Sequence, residues 1–311
     1  MSTASHTGPG VIDARPPEAL TAIPVRHWGQ RISAVVVVGL LGLLVWSVAQ
    51  NDNIQWATVR HYLFDGGILR GLVTTVELTV LAMVIGIAGG ILVAVMRLSK
   101  NPVLKWISFG FVWLFRGTPV LVQLIFWFNL ATIFPHLGPS FLQANTNTVI
   151  TSFVAALLGL GLNEAAYMSE IVRAGILSVD QGQTEAAHAL GMPQSLLMRR
   201  IVLPQAMRII IPPTGNETIT MLKTTSLVAV IAGNDLLTRA QAIYSSNYAI
   251  IELLLVASLW YLVLTSVASV FQYFVERRFA RGFSRHGTAG PGLARKVLTN
   301  LRPGRVGGDA R

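Results

Sequence analysis

The chain has 311 residues, of which 52% are hydrophobic and 12% charged, and its mean hydropathy of +0.57 lies outside the usual composition of a soluble domain. It therefore reads as an integral membrane protein, with helical crossings, because hydrocarbon offers unpaired backbone amides no partner. No cysteine is present, which excludes a disulfide framework or a thiolate centre, and the formal charge of +10 comes without any stacking or groove-reading motif, which argues against nucleic acid as a partner.

Residues 1–30 are rich in Pro, Thr, Ser and Ala and read as a disordered cytoplasmic N-terminus. The first span, residues 33–49, ends on Ser47, Val48 and Ala49, which resemble a small-residue cleavage site. Its apolar core and the leader before it are too long for a signal peptide, so an uncleaved signal anchor is expected.

Further spans are expected at residues 72–96, 118–134, 148 to about 168, 209–232 and 250–275. With the N-terminus inside, only Arg60, Arg70 and Arg239 fall outside. Arg97, Lys100, Lys105, Arg173, Arg199, Arg200 and Arg208 then all fall inside, as the positive-inside rule requires. The reading is an all-α membrane protein of six spans with both ends cytoplasmic. Residues 97–117 carry Trp106, Phe109, Phe111, Trp113 and Phe115 and suit a helix lying at the membrane surface, while Arg116, Gly117, Thr118 and Pro119 mark the start of the third span. The outer connections, residues 51–71, 135–147 and 233–249, are short. A transporter with so little external mass either binds its substrate within the membrane or receives it from a separate protein.

Ionisable residues inside spans are costly and point to function by default. Glu77 lies about five residues, roughly 7 Å, inside the second span. In the fourth span Asn163, Tyr167 and Glu170 share one face and Glu164 lies beside them. Two readings stand open. These residues line a cavity that passes a zwitterion, a carboxylate attracting its ammonium group; or Glu170 pairs with Arg173, or Lys223 neutralises one of the carboxylates across helices. On the fifth span Lys223, Thr224, Thr225 and Ser226 either meet a substrate carboxylate or bond their own backbone.

The inner loop is the largest ordered polar feature, its core at residues 178–206. Two short helical runs flank Gly191, Met192 and Pro193, with glycine placed for a positive φ at a helix end and proline for the first turn of the next helix. A mere linker needs only a few residues, whereas this loop displays Ala186, Ala187, Ala189, Leu190, Leu196, Leu197 and Ile201, so a docking partner is expected. Glu185 either meets a basic residue on that partner or is a solvated helical glutamate. Arg199 and Arg200 touch the partner or anchor the loop to lipid. His188 has no second ligand at metal spacing. After the last span the chain is basic, with Arg277, Arg278, Arg281, Arg285, Arg295 and Lys296, a retention signal beside anionic lipid; residues 283–311 read as a disordered basic tail.

The loop fits the pattern EAA, three residues, Gly, nine residues, I-x-L-P: Glu185, Ala186, Ala187, Gly191, Ile201, Leu203 and Pro204. It resembles the cytoplasmic loop of membrane subunits of binding-protein-dependent ABC importers. FRGTPVLVQ at 115–123, AAYMSEIVRAGI at 165–176, GQTEAA at 182–187 and LKTTSL at 222–227 resemble further signatures of the polar amino acid permease family. The resemblance covers residues 71–278 and leaves the first span and both tails outside. Pro193 departs from the small polar cap of many relatives, but proline also starts helices.

What the resemblance implies is a type I importer transmembrane domain of five core helices plus one extra N-terminal helix. Its expected partners are a dimer of ABC ATPase subunits, a second permease subunit (the same chain or another) and an extracytoplasmic solute-binding protein. The loop is then the coupling segment, and ATP-driven closure of the ATPases rocks the spans between inward-open and outward-open states. This chain has no GxxxxGK[ST] phosphate loop, so it is not itself an enzyme and binds no cofactor; the partner uses ATP and magnesium. The expected cargo is a polar amino acid or a similar small zwitterion such as an opine. The alternative is a proton-coupled secondary transporter, in which Glu77, Glu164 or Glu170 carries protons.

Overall fold

The structure is a computed structural model that describes residues 28–139 and 143–279. By itself, α1 (Trp28–Ala49) is a 22-residue apolar helix. It starts inside the stretch expected to be disordered; the remainder of that stretch and the basic tail lie outside the described residues.

The rest of the chain is built around two long helices, α3 and α7. After α2 (Trp56–Leu63), Asp65 caps α3 (Gly66–Leu98) by accepting from Gly67 N at 2.7 Å and Ile68 N at 3.3 Å. With 33 residues, α3 is about 50 Å long and overruns the ~30 Å hydrocarbon layer. The side chain of Asn101 then caps α4 (Pro102–Gly117), which turns through 102° into α5 (Val120–Phe128). The stretch expected as the third crossing, 118–134, is thus the second arm of a bent helix pair. Its regular helix has nine residues, far too few to span alone, and Pro119 together with the extended Thr118 forces the corner after α4.

A small antiparallel pairing of β1 (His136–Leu137) with β2 (Ala144–Asn145) and the single turn α6 (Thr146–Val149) lead into α7 (Ser152–Leu177). This helix runs some nine residues beyond the end read from hydropathy, which places Glu164 at its middle. Close approach of α3 and α7 rests on glycine. A Cβ on Gly90 would lie 2.5 Å from that of Met168, and one on Gly86 would overlap the side chain of Glu164.

The inner loop follows as α8 (Gln181–Ala189) and α9 (Gln194–Leu197), then a π-helical turn at Met198–Val202 that runs into α10 (Leu203–Thr224). That helix holds Pro212 and Pro213 in its interior and passes into a 3-10 segment, Thr225–Ile231, ending on left-handed Ala232. Finally come α11 (Leu236–Asn247), capped by Asp235, and α12 (Ile250–Phe279).

Among the described residues three helices are long and apolar enough to cross a membrane, α1, α3 and α12, or four if α4 and α5 count as one bent span. The segments expected as the fourth and fifth crossings, α7 and α10, carry carboxylates or prolines. They tolerate them because α7 is wrapped by α3, α4, α5 and α10 and so meets protein on most sides.

Three clusters of buried side chains divide the fold along its length. Leu78, Ala82, Leu124, Leu160, Met221 and Val228 join α3, α5, α7 and α10. Ala94, Met168, Val172, Ala187, Leu197 and Ala206 fasten the inner loop to the ends of α3 and α7. Val59, Ile68, Leu236, Leu253 and Val256 join α2 and α11 to α3 and α12. The outer connections are thus partly helical, too short to register in a hydropathy window.

Candidate functional site

Two features emerge: the inner loop and a cavity at the middle of α7. At the loop, the chain leaves α8 by a Schellman closure. Met192 N donates to Ala187 O at 3.0 Å and Gly191 N to His188 O at 2.9 Å, with Gly191 at φ +71°. The expected bend is present, and its glycine is there for backbone reasons: a Cβ on Gly191 would meet nothing within 4 Å. Pro193 sits one place before α9, in extended conformation, where it stops α8 from continuing and starts the next helix.

The loop's apolar residues divide by face. Ala187, Leu197 and Val202 are buried under the loop and Ile201 is half-buried beside them, whereas Glu185, Ala186, Leu196, Leu203 and Pro204 are exposed. Leu190, at the tip, is 84% exposed. One side of the segment is thus spent on holding the loop to the chain, and the other presents the apolar Leu190 tip and the exposed Glu185, which makes no ion pair among the described residues.

The cavity has a volume of about 350 Å³ and is lined by Val120, Leu160, Asn163, Glu164, Tyr167, Glu217, Thr220, Met221 and Thr224. Four of the six residues singled out for a substrate pathway, Asn163, Glu164, Tyr167 and Thr224, are brought together here. Lys223 points elsewhere and is exposed; it makes no ion pair among the described residues. Glu170 lies one turn further in and is engaged by Arg97, across from α3, and by Arg173 at 2.8 Å. Of the two readings held open for Glu170, ion pairing is the one observed, with a second arginine the sequence did not reveal. Glu77 is exposed on α3 and does not reach the cavity.

Within the cavity wall, Asn163 is fixed. Its Nδ2 donates to Phe115 O at 2.7 Å and to Gln123 Oε1 at 3.4 Å, while Gln123 Nε2 donates to Phe115 O at 2.9 Å, so α7 is stitched to the corner between α4 and α5. Tyr167 carries the Arg116 guanidinium over its ring at 4.9 Å. Glu164 is different: it is buried, and its Oε1 has no hydrogen-bond partner among the described residues. Glu217 on α10 was missed at the sequence level, although an acid five residues beyond Pro212 in an expected span was open to the same argument that flagged Glu164. Two carboxylates, Glu164 and Glu217, thus line one small cavity, an arrangement whose charge a cation or hydrogen-bond donors can balance.

Residues 86–281 match the family described as binding-protein-dependent transport system inner membrane component. The chain belongs to this family. It is thus an inner-membrane transport component, not an enzyme. It is similar to the arginine transport system permease protein ArgU of Corynebacterium glutamicum, with 45% identity over 97% of this chain and 96% of that one. It is also similar to the arginine transport system permease protein ArtQ of Bacillus subtilis, at 38% over 68% of this chain and 91% of the relative. A solved structure described as an amino acid ABC transporter with histidines superposes with a TM-score of 0.61 at 37% identity, covering 68% of this chain and 94% of that one. An inward-facing MetNI methionine ABC transporter shares the fold at 19% identity, with a TM-score of 0.51 over 75% of this chain and all of that one. The type I permease architecture expected from the loop and its flanking motifs is therefore present.

Proposed function

We propose that the chain is the permease subunit of an ATP-binding-cassette importer for polar amino acids, with a preference for those bearing a cationic side chain. The observation that carries the preference is Glu164, a buried carboxylate with an unpartnered oxygen, facing Glu217 across one cavity. An ammonium or guanidinium group supplies the opposite charge and the hydrogen bonds that the site lacks, and Thr220 on the same wall offers a hydroxyl to the remainder of the molecule, while the Thr224 hydroxyl donates to Thr220 O at 3.0 Å and keeps only its lone pairs. The arginine permeases among the similar proteins support the same reading.

Energy enters at the loop. In this reading Leu190, Glu185 and Ala186 seat in a groove of the ATPase subunit, and the apolar tip loses its water there. The loop continues into α10, which starts at Leu203 and carries Glu217 and Thr224 into the cavity wall. Fourteen helical residues separate Leu203 from Glu217, about 21 Å, so movement of the loop displaces the cavity wall through a single element. A solute-binding protein on the outer face delivers the cargo, and a second permease subunit completes the pathway.

The decisive experiment is uptake into proteoliposomes holding the permease, its ATPase, the binding protein and ATP. Glu164→Gln and Glu217→Gln are each expected to lower uptake of a cationic amino acid about ten-fold or more, while uptake of a neutral one changes little. Equal losses for both substrates would refute the charge preference. Uptake driven by a proton gradient with no ATPase present would refute the importer reading.

A further inference from the structure

The inner end of α3 and the first turns of α4 enclose a groove the transport reading does not use. It is lined by Arg97, Lys105, Trp106 and Phe109, with a volume of about 360 Å³, and it adjoins a second hollow of about 430 Å³ that shares Arg97 and Phe109 and continues to Arg116. Two facts about charge matter. Glu170 is the carboxylate here, and Arg97 and Arg173 already divide it; Lys105 and Arg116 have no ion pair within 4 Å among the described residues. The two hollows are therefore lined by three cations, Arg97, Lys105 and Arg116, and by one carboxylate, Glu170, which Arg173 also meets. The groove walls, by contrast, are aromatic, and Trp106 is 73% exposed although it stands on a helix that otherwise buries Ser108 and Val112. By the distribution of basic residues this is the cytoplasmic boundary.

We propose that this groove binds one anionic phospholipid, its phosphate held between Arg97 and Lys105 and an acyl chain laid along Trp106 and Phe109. A net positive rim beside an apolar, aromatic trough matches an anionic headgroup with its hydrocarbon, and matches a free phosphate only in part, since phosphate leaves the trough unfilled. The site ties α4 to the bilayer next to the Arg97–Glu170 contact between α3 and α7.

The test uses the full chain purified from membranes and titrated with phosphatidylglycerol or with phosphatidylcholine of the same chain length, followed by native mass spectrometry and by labelling with a photoreactive phosphatidylglycerol. The expected result is one preferentially retained phosphatidylglycerol per chain and a label on residues 103–113. Lys105→Gln should weaken phosphatidylglycerol binding about five-fold and leave phosphatidylcholine unaffected. Lys105→Arg should restore it, and Arg277→Gln, at the far end of α12, should have no effect. Equal retention of the two lipids, a label confined to other segments, competition by inorganic phosphate, or a cross-link from Trp106 to a second copy with no lipid retained would each overturn the proposal. Should Lys105→Gln fail to fold, the label on the wild-type chain decides alone.

Discussion

Glu164 on α7 lies directly over Gly86 on α3, so close that a single methyl group added to the glycine would overlap the glutamate stem. The cavity carboxylate is thereby held from behind by a close helix contact, and its Oε1 has no hydrogen-bond partner among the described residues. Gly86→Ala should therefore cost about 1–3 kcal/mol, the range for overpacking a close-packed contact. Thermal unfolding of the purified chain should show a lowered midpoint, and uptake should fall with it; an unchanged midpoint would mean that α3 and α7 separate freely.

At the loop the expected penalty is conformational. Gly191 has φ +71° with open space around the missing Cβ, so Gly191→Asn should be nearly neutral, and Gly191→Val should cost about 1 kcal/mol or more through the backbone alone. If the bend seats in the ATPase, the valine variant should hydrolyse ATP without matching uptake while inserting normally. Normal coupling in that variant would remove the loop from the mechanism.

Leu190 and Leu197 separate docking from folding. Leu190 is at the exposed tip and Leu197 is 1% exposed inside the second cluster. Leu190→Glu should leave the isolated chain's thermal midpoint unchanged but release the ATPase during copurification. Leu197→Ala should instead destabilise the chain by about 2–5 kcal/mol, with loss of ATPase following from the unfolded loop.

The pairing of Glu170 with Arg97 and Arg173 is half-exposed, so neither arginine alone should matter greatly. Glu170→Ala should matter more, because it leaves two guanidinium groups facing each other. A double-mutant cycle of Glu170→Ala with Arg97→Ala should return a coupling of about 0.5–3 kcal/mol, read from thermal midpoints in low salt. Strict additivity would show that the two side chains act independently.

Much of this was legible in the chain. Glycine at 191 and proline at 193 specify a bend locally, since few residue types tolerate the positive φ at 191 and proline cannot continue α8, and the Schellman closure follows. The long apolar runs of α3 and α12 needed nothing beyond hydropathy. The pattern from Glu185 to Pro204 carried the family, and the family carried the architecture.

Other features depend on which elements meet. Arg97 and Glu170 lie 73 positions apart, and nothing in their local sequence marks them as partners. Glu217 joins Glu164 only because α10 crosses α7 at that height, and the corner at Pro119 breaks the helix before α5 and is stitched to Asn163 through Phe115 and Gln123. Local rules act through torsion angles and the water-avoiding periodicity of neighbouring residues, so they are readable one segment at a time. Which carboxylate finds an arginine and which lines the cavity is decided by helix packing across long separations, and only the folded chain contains that information.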